Sequence, residues 1–502
     1  MLGHNNNNNN KREKELLIRD HMENNNKATK NLPILFLLVC SLTLNVLFMF
    51  KRVRVVFDDE KSSGDELSWS RRAAREAERV AAISCSGHGR AYIDSSLVVE
   101  EEEGPVCECN SCYWGFHCEN FLPSCPANAQ SGDPLFLEPF WMENAGSSAM
   151  LVAGWHRMSY TFNQSGFMSK QLEARIRQMH AIVGNAVTEG KYIIFGTGSA
   201  QLINAAVHAL SPHNNSSNSP SIVVPIIPYY PLYKLQTEYF QEVNYKFEDD
   251  STLWMNKMNN YSNDNNTNTI NLIEIVTSPN NPDGQLNRAR LQHPMAKAIY
   301  DRVYYWPHFT AISTPVDDDI MLFSLSKLTG HAGSRFGWAV VKDETVFTRM
   351  SKHLSVNTMG ASHESQLRAL HLMEVIIEGK EGETVFDFGY KTMRNRWEKL
   401  NEIISVSKRF SLQKLESQYC NFFHKIRAPS PAYAWLKCLR KEEEKDCSAV
   451  LTAANINGRS GSTYGDEDKY VRLSLVRTQD DFDNLLSRLK ILISEEDSAK
   501  SI

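Results

Sequence analysis

Five apolar, strand-like runs between residues 191 and 323 each end in a turn whose side chains can do chemistry. Lys191-Tyr-Ile-Ile-Phe195 runs into Gly196-Thr-Gly198-Ser199, and a helical pattern follows to Leu210. Ile222-Val-Val-Pro-Ile-Ile ends at Pro228-Tyr229-Tyr230-Pro231. Glu274-Ile-Val-Thr leads to Ser278-Pro-Asn-Asn281-Pro-Asp-Gly284, and Ala298-Ile-Tyr leads to Asp301-Arg-Val-Tyr304. Ile320-Met-Leu-Phe323 delivers Ser324-Leu-Ser-Lys327, with Arg335 eight residues beyond the lysine. Strands that alternate with helical segments argue for an α/β domain on a mainly parallel sheet. A smaller C-terminal α+β domain is expected from about Ser355.

The turns have a common chemical sense. A buried amine among hydroxyls and an arginine suits a Schiff base to an aldehyde cofactor that carries a phosphate, which is pyridoxal phosphate. Glycines opening a helix at Ser199 make a phosphate cradle, although many strand-to-helix turns share the pattern without a ligand. Asn281, at a strand's C-terminal end, can donate to a cofactor hydroxyl, and Asn-Pro-Asp-Gly is equally good turn chemistry. Asp301 is costly to bury without a partner. A protonated pyridine nitrogen fits, and Arg302 or Lys297 is the alternative. Tyr304 can reach the ring hydroxyl. Tyr229 or Tyr230 can stack on a flat cofactor or simply pack. Arg472, in the alternating strand Tyr470-Val-Arg-Leu-Ser-Leu-Val476, suits a substrate carboxylate or a salt bridge at a sheet edge.

The order of these pieces resembles the fold-type I pyridoxal-phosphate aminotransferases. Ser278-Pro-Asn-Asn-Pro-Asp-Gly284, Val303-Tyr-Tyr-Trp-Pro-His308 and Ser326-Lys-Leu-Thr-Gly-His-Ala-Gly-Ser-Arg-Phe-Gly-Trp338 resemble one branch of them, the plant alliinase and tryptophan-aminotransferase-related family. The resemblance runs from about Ser131 to Leu492 and implies roles residue by residue. Lys327 is the Schiff-base lysine. Ser324, Arg335, Ser199 and Ala200 hold the phosphate. Asn281 and Tyr304 contact the ring hydroxyl, and Asp301 pairs with the ring nitrogen. Tyr230 stacks on the ring, with Tyr229 still open. Arg472 receives the substrate carboxylate. Tyr160, in His156-Arg-Met-Ser-Tyr160, reaches the phosphate in the neighbouring subunit's site of a homodimer.

The implied chemistry begins when Lys327, freed by the substrate amine, acts as general base at the α-carbon. Asp301 keeps the ring nitrogen protonated. Reprotonation at the cofactor carbon leads to transamination, and loss of a β-substituent leads to a carbon–sulfur lyase. The expected function is an aminotransferase for a tryptophan-like L-amino acid with a 2-oxo acid acceptor. The alternatives are alliinase-type β-elimination of S-alkyl-cysteine sulfoxides and a membrane-tethered, non-catalytic binding protein.

The front of the chain has a different character. Residues 1–30 are polar, with Asn5 to Asn10 in a run, and cannot bury a core. Residues 31–50 contain an almost wholly apolar stretch, Leu32 to Phe50, nearly long enough to cross a bilayer. It ends at Lys51-Arg-Val-Arg54 with no small-residue cleavage site, which favours a retained single-pass anchor over a cleaved signal peptide. A stalk, 51–83, follows, with a helical pattern from Leu67 to Ile83. Six of the 10 cysteines fall between Cys85 and Cys125. That density reads as a disulfide-stapled module, 84–126, with zinc as the rival reading. Cys85-Ser-Gly-His-Gly-Arg90 and Cys107-Glu-Cys-Asn-Ser-Cys-Tyr-Trp-Gly-Phe-His-Cys118 resemble the EGF-like module of alliinases. That resemblance implies the pairs Cys85–Cys107, Cys109–Cys118 and Cys112–Cys125, and the family pattern adds Cys438–Cys447. Cys40 and Cys420 are left over. The catalytic region is expected at 127–495, its large domain at about 165–354 and its small domain at about 355–495 together with 127–164. An anchor followed by an oxidised module places the enzyme in the lumen of the secretory pathway or outside the cell. Sequons at Asn163, Asn214, Asn215, Asn260 and Asn265 fit that side. A net charge of −5 without a basic stripe gives no nucleic-acid footprint.

Overall fold

The computed structural model describes residues 68–94, 106–162, 166–212, 220–240, 243–248, 250–261, 271–440 and 445–498. The polar tail, the apolar run Leu32–Phe50, Cys40 and the sequons at Asn163, Asn214, Asn215 and Asn265 lie outside them, and the Asn260 side chain is not described. Among the described residues no helix is long and apolar enough to cross a membrane. The chain divides into two units, residues 1–74 and 75–502. Of the first unit only residues 68–74 are described, at the start of the helix Trp69–Ala81. This helix occupies most of the helical stretch expected at the end of the stalk.

The second unit begins with the cysteine module. Its short hairpins pair Gly89–Ala91 with Cys107–Cys109 and Tyr113–Trp114 with Asn120–Phe121. Too little apolar surface is available here for an ordinary core. Three disulfides, Cys85–Cys107, Cys109–Cys118 and Cys112–Cys125, close it instead. Cys438–Cys447 is the fourth, and Cys420 is free and buried. No cluster of metal-binding side chains occurs among the described residues. The module is tied to the last helix, Gln479–Ser498, through Asp480, which takes His88 Nδ1 at 3.1 Å and Asn110 Nδ2 at 2.7 Å.

The central sheet has seven strands in the order Tyr192–Gly196, Gly337–Val341, Ile320–Ser324, Ala296–Asp301, Leu272–Thr277, Ser221–Pro225, Tyr245–Phe247. Gly337–Val341 is antiparallel to both its neighbours, and the next four pairings are parallel. The strands from Ile320, Leu272 and Ser221 are buried along their whole length, which is why they read as continuous apolar runs rather than alternating ones. Their C-terminal ends, at Gly196, Pro225, Thr277, Asp301 and Ser324, form one edge. Gly337 stands at that edge too, opposite both Gly196 and Ser324.

A second, wholly antiparallel sheet follows, in the order Phe410–Leu412, Tyr433–Cys438, Tyr470–Ser474, Arg459–Ser460. The segment after the module joins it: Ala127–Asn128 pairs with Ile456–Asn457, and Phe136 N–H donates to Val476 O at 3.1 Å. The helix Glu344–Thr358 runs through Ser355 and leads from the large sheet towards the small one. One apolar cluster contains Phe323 and Trp338 of the large sheet as well as Leu436 and Leu473 of the small one. Packing across the two sheets fixes their relative position, and the site lies where their edges meet.

Candidate functional site

Ten of the sequence-derived candidates, from Ser199 to Arg472, line one cavity of about 300 Å³ at the C-terminal edge of the central sheet. They are Ser199, Ala200, Tyr230, Asn281, Asp301, Tyr304, Ser324, Lys327, Arg335 and Arg472. Tyr160 is not among them and is 72% exposed. Tyr229 is also absent. It is buried against Phe247 beneath Gly465, while Tyr230 faces the cavity.

At one end is an anion cradle. The helix Gly198–Leu210 begins there, and its first turn presents Ser199 and Ala200. Gly198 has φ +77, and a Cβ on it would stand 2.7 Å from Arg335 Nη2. Only glycine lets the arginine lie against the helix N-terminus, where N–H groups and the dipole already favour negative charge. Ser324 caps the short helix Leu325–Leu328 by accepting from Ser326 N at 3.2 Å, and both serines line the cavity.

Lys327 leaves that short helix and donates from Nζ to Gly132 O at 2.5 Å. The backbone carbonyl of Lys327 is held from behind by His308 Nε2 at 2.9 Å. Burial pushes His308 down to about 3, so its imidazole stays neutral and positions the lysine without competing for protons.

Asp301 lies at the end of its strand and is almost wholly buried. The alternative of a pair with Arg302 does not occur, since Arg302 turns to Asp318 at 2.7 Å. Asp301 Oδ2 accepts from Tyr233 Oη at 2.8 Å, and Oδ1 accepts from Val303 N at 3.3 Å. Burial outweighs these bonds and pushes the carboxyl up to about 6. A buried carboxyl in this state is completed by a cationic group in the cavity.

The far wall comes from the small sheet. Arg472 donates to Asn281 Oδ1 at 3.1 Å and to Gln130 O at 2.5 Å, and lies over the Tyr433 ring at 4.1 Å. Its Nε is buried with no hydrogen-bond partner among the described residues. Tyr433 and Tyr304 share a hydroxyl–hydroxyl bond of 2.6 Å. Burial raises Tyr433, but Lys327 and Arg472 pull it below the usual phenol range, while burial and Tyr433 drive Tyr304 upward.

Tyr433, Tyr233, Arg459 and the Ser131–Gly132–Asp133 segment are functional candidates that the sequence reading missed. Gly132 could not be read from spacing: a Cβ there would stand 2.6 Å from Tyr433 Oη, a contact made across 301 residues. Tyr433 did leave a signal, an aromatic directly after Ser430-Pro431-Ala432 at the start of a strand.

Pyridoxal phosphate fits these residues. The cradle suits its phosphate, Lys327 Nζ its aldehyde, and the Asp301 carboxyl its ring nitrogen. Tyr304 and Asn281 offer hydrogen bonds between the two ends.

Comparison with known proteins adds three findings. The alliinase family model, described as "Allinase", matches residues 127–493, and the alliinase EGF-like domain matches residues 68–125. The chain is 48% identical over 465 residues to "Tryptophan aminotransferase-related protein 4" of Arabidopsis thaliana, covering 93% of this chain and 97% of that one. It is 43% identical over 482 residues to an "Alliin lyase" of Allium cepa, covering 94% and 95%. Among solved structures, a multiple substrate aminotransferase from Thermococcus profundus aligns with a TM-score of 0.52 at 13% identity, covering 88% of this chain and 99% of that one. That likeness shows a shared fold.

Proposed function

The chain belongs to the alliinase family of pyridoxal-phosphate enzymes, and from that membership we propose that it is an aminotransferase for a tryptophan-like L-amino acid with a 2-oxo acid acceptor. The observation that carries amino-acid chemistry is the meeting of Lys327, Asp301 and Arg472 in one cavity. The finer choice draws support from relatives. Two proteins named as tryptophan aminotransferase-related are 48% and 49% identical to the chain, above the 42% to 45% of four alliin lyases, while two others of that name are 38% and 36% identical.

In this reading Arg472 takes the substrate carboxylate and orients the α-carbon toward Lys327. The bound cofactor supplies the aldehyde that captures the amine and the ring that accepts the electron pair at the α-carbon. Lys327 Nζ would take the α-proton and release it at the carbon that had carried the aldehyde, which is the proton movement a transamination needs. Asp301 holds positive charge at the ring nitrogen. Ser199, Ala200, Ser324 and Arg335 anchor the phosphate. Tyr230 forms a wall of the site, and the Tyr304–Tyr433 pair fixes the hydrogens along another.

Carbon–sulfur lysis is the second reading, favoured by the EGF-like domain match and the alliin lyase relatives. Product analysis separates the two. Tryptophan with a 2-oxo acid yields an indole keto acid if the first is right. An S-alkyl-cysteine sulfoxide alone yields pyruvate and ammonia if the second is right.

The wider context belongs to the same reading. Leu151, Val152, Trp155, Met158 and Tyr160 are exposed along one segment, which supports a homodimer in which Tyr160 completes the partner's site. The apolar run before the module supports a single-pass anchor. The four disulfides support a lumenal or extracellular catalytic region from 127 to 495, behind a module at 84–126. Protection of that region from protease in sealed microsomes tests the topology, and digestion without detergent refutes it.

A further inference from the structure

Arg459 lies on the short strand Arg459–Ser460, directly opposite Arg472 in the antiparallel pairing with Tyr470–Ser474. Residues facing each other across such a pair leave the sheet on the same side, with Cβ atoms about 5 Å apart. Both guanidinium groups therefore turn to one face, and both residues line the cavity.

Their surroundings differ. Arg472 is buried and tied to Asn281, Gln130 and the Tyr433 ring. Arg459 is exposed and has no hydrogen-bond or ion-pair partner among the described residues. Like charges placed directly opposite each other are destabilising. The cavity also holds Lys327 and Arg335 against two carboxylates, Asp133 and Asp301. The cofactor phosphate accounts for Arg335, and the substrate α-carboxylate accounts for Arg472. Arg459 remains as a cation beside the carboxylate subsite with no anion assigned to it.

We propose that Arg459 is the specificity determinant for the second substrate: it binds the distal carboxylate of a 2-oxo dicarboxylic acid whose α-carboxylate lies on Arg472. The flexible Arg459 side chain, on the neighbouring strand, can meet a carboxylate a few carbons from the one on Arg472. The aromatic donor leaves this contact unused, so one pocket serves both half-reactions. The proposal rests on the aminotransferase reading.

The test uses unreactive acids, so that the two readings fail separately. The cofactor-loaded protein is titrated calorimetrically with glutarate, which carries two carboxylates, and with butyrate, which carries one. The native protein is expected to prefer glutarate by at least about tenfold, the size of one well-placed ion pair. In Arg459→Gln that ratio is expected to fall to about one, and Arg459→Lys is expected to retain part of it. Arg472→Gln is expected to weaken both acids alike, which separates a specific contact from a general loss of positive charge. Absence of a glutarate preference in the native protein, its persistence in Arg459→Gln, or an equal fall of the ratio in Arg472→Gln overturns the proposal. Failure to form a keto acid from tryptophan refutes the aminotransferase reading and leaves the binding result standing.

Discussion

Lys327 and Asp301 sit in the same cavity but respond differently to substitution. Lys327 makes one bond to Gly132 O and reaches into the cavity rather than into the core. Lys327→Ala is expected to keep the native melting temperature within a degree or two, since the change deletes no core packing. The visible absorbance of the bound cofactor and turnover are expected to disappear. Turnover at the native rate would remove the lysine from its role. Asp301 has a folded-state value raised from 3.8 to about 6 by burial. The folded, cofactor-free protein therefore binds a proton at pH values where the unfolded chain has released it. Stability falls as pH rises from about 4 through about 6, by at most about 3 kcal/mol for a shift of this size. Asp301→Asn removes that loss. Without cofactor the variant is expected to melt above the native protein at pH 7.5 and level with it near pH 4. With cofactor and substrate it is expected to lose nearly all α-proton abstraction in single-turnover measurements. Equal melting curves at both pH values would show that the carboxyl is ionised at no cost in the folded state.

Among elements, the start of the helix Gly198–Leu210 carries the most consequence. At Gly198 a side chain must accept φ +77 and also displace Arg335 Nη2 from 2.7 Å. Gly198→Ala is expected to cost about 1–2 kcal/mol in the backbone alone. A tenfold or greater loss of cofactor affinity, read by fluorescence titration, is expected from the moved arginine. Unchanged affinity would mean that the phosphate does not use this turn. The same element shows what a sequence can disclose. Its strand, glycine turn and helix are contiguous, so the cradle could be read from spacing, as could Lys327 with Ser324 and Asn281 at the end of its strand. Apart from the aromatic that opens a strand at Tyr433, the groups that were missed lack such local grammar. Tyr433, Arg459 and Gly132 reach the cavity only because the small sheet and the segment after the module pack over the edge of the large one. Tyr230 and Tyr229 are adjacent in sequence and could be told apart only by which face each turns.

At the scale of the whole molecule, one exposed side chain bears on the assembly. Tyr160 is 72% exposed and lies outside the cavity that gathers the other ten candidates. If Tyr160 serves a cofactor phosphate, as proposed, its distance from its own cavity means that it acts in the site of a second copy. Two-fold symmetric pairing makes such exchange reciprocal. This gives a test that a single chain cannot pass. Lys327→Ala abolishes each site that the variant chain builds, yet the chain still carries an intact Tyr160. Tyr160→Ala keeps Lys327 but leaves the neighbouring site without its tyrosine. The two variants, each of low activity alone, are unfolded together and refolded as a mixture. If Tyr160 crosses the interface, each mixed dimer gains one complete site, formed by Lys327 of one chain and Tyr160 of the other. Half of the dimers are mixed, so about a quarter of native activity is expected to return. If Tyr160 serves its own chain, every site in the mixture lacks either the lysine or the tyrosine. Activity then stays at the average of the two variants, and the shared site is refuted even if the protein sediments as a dimer.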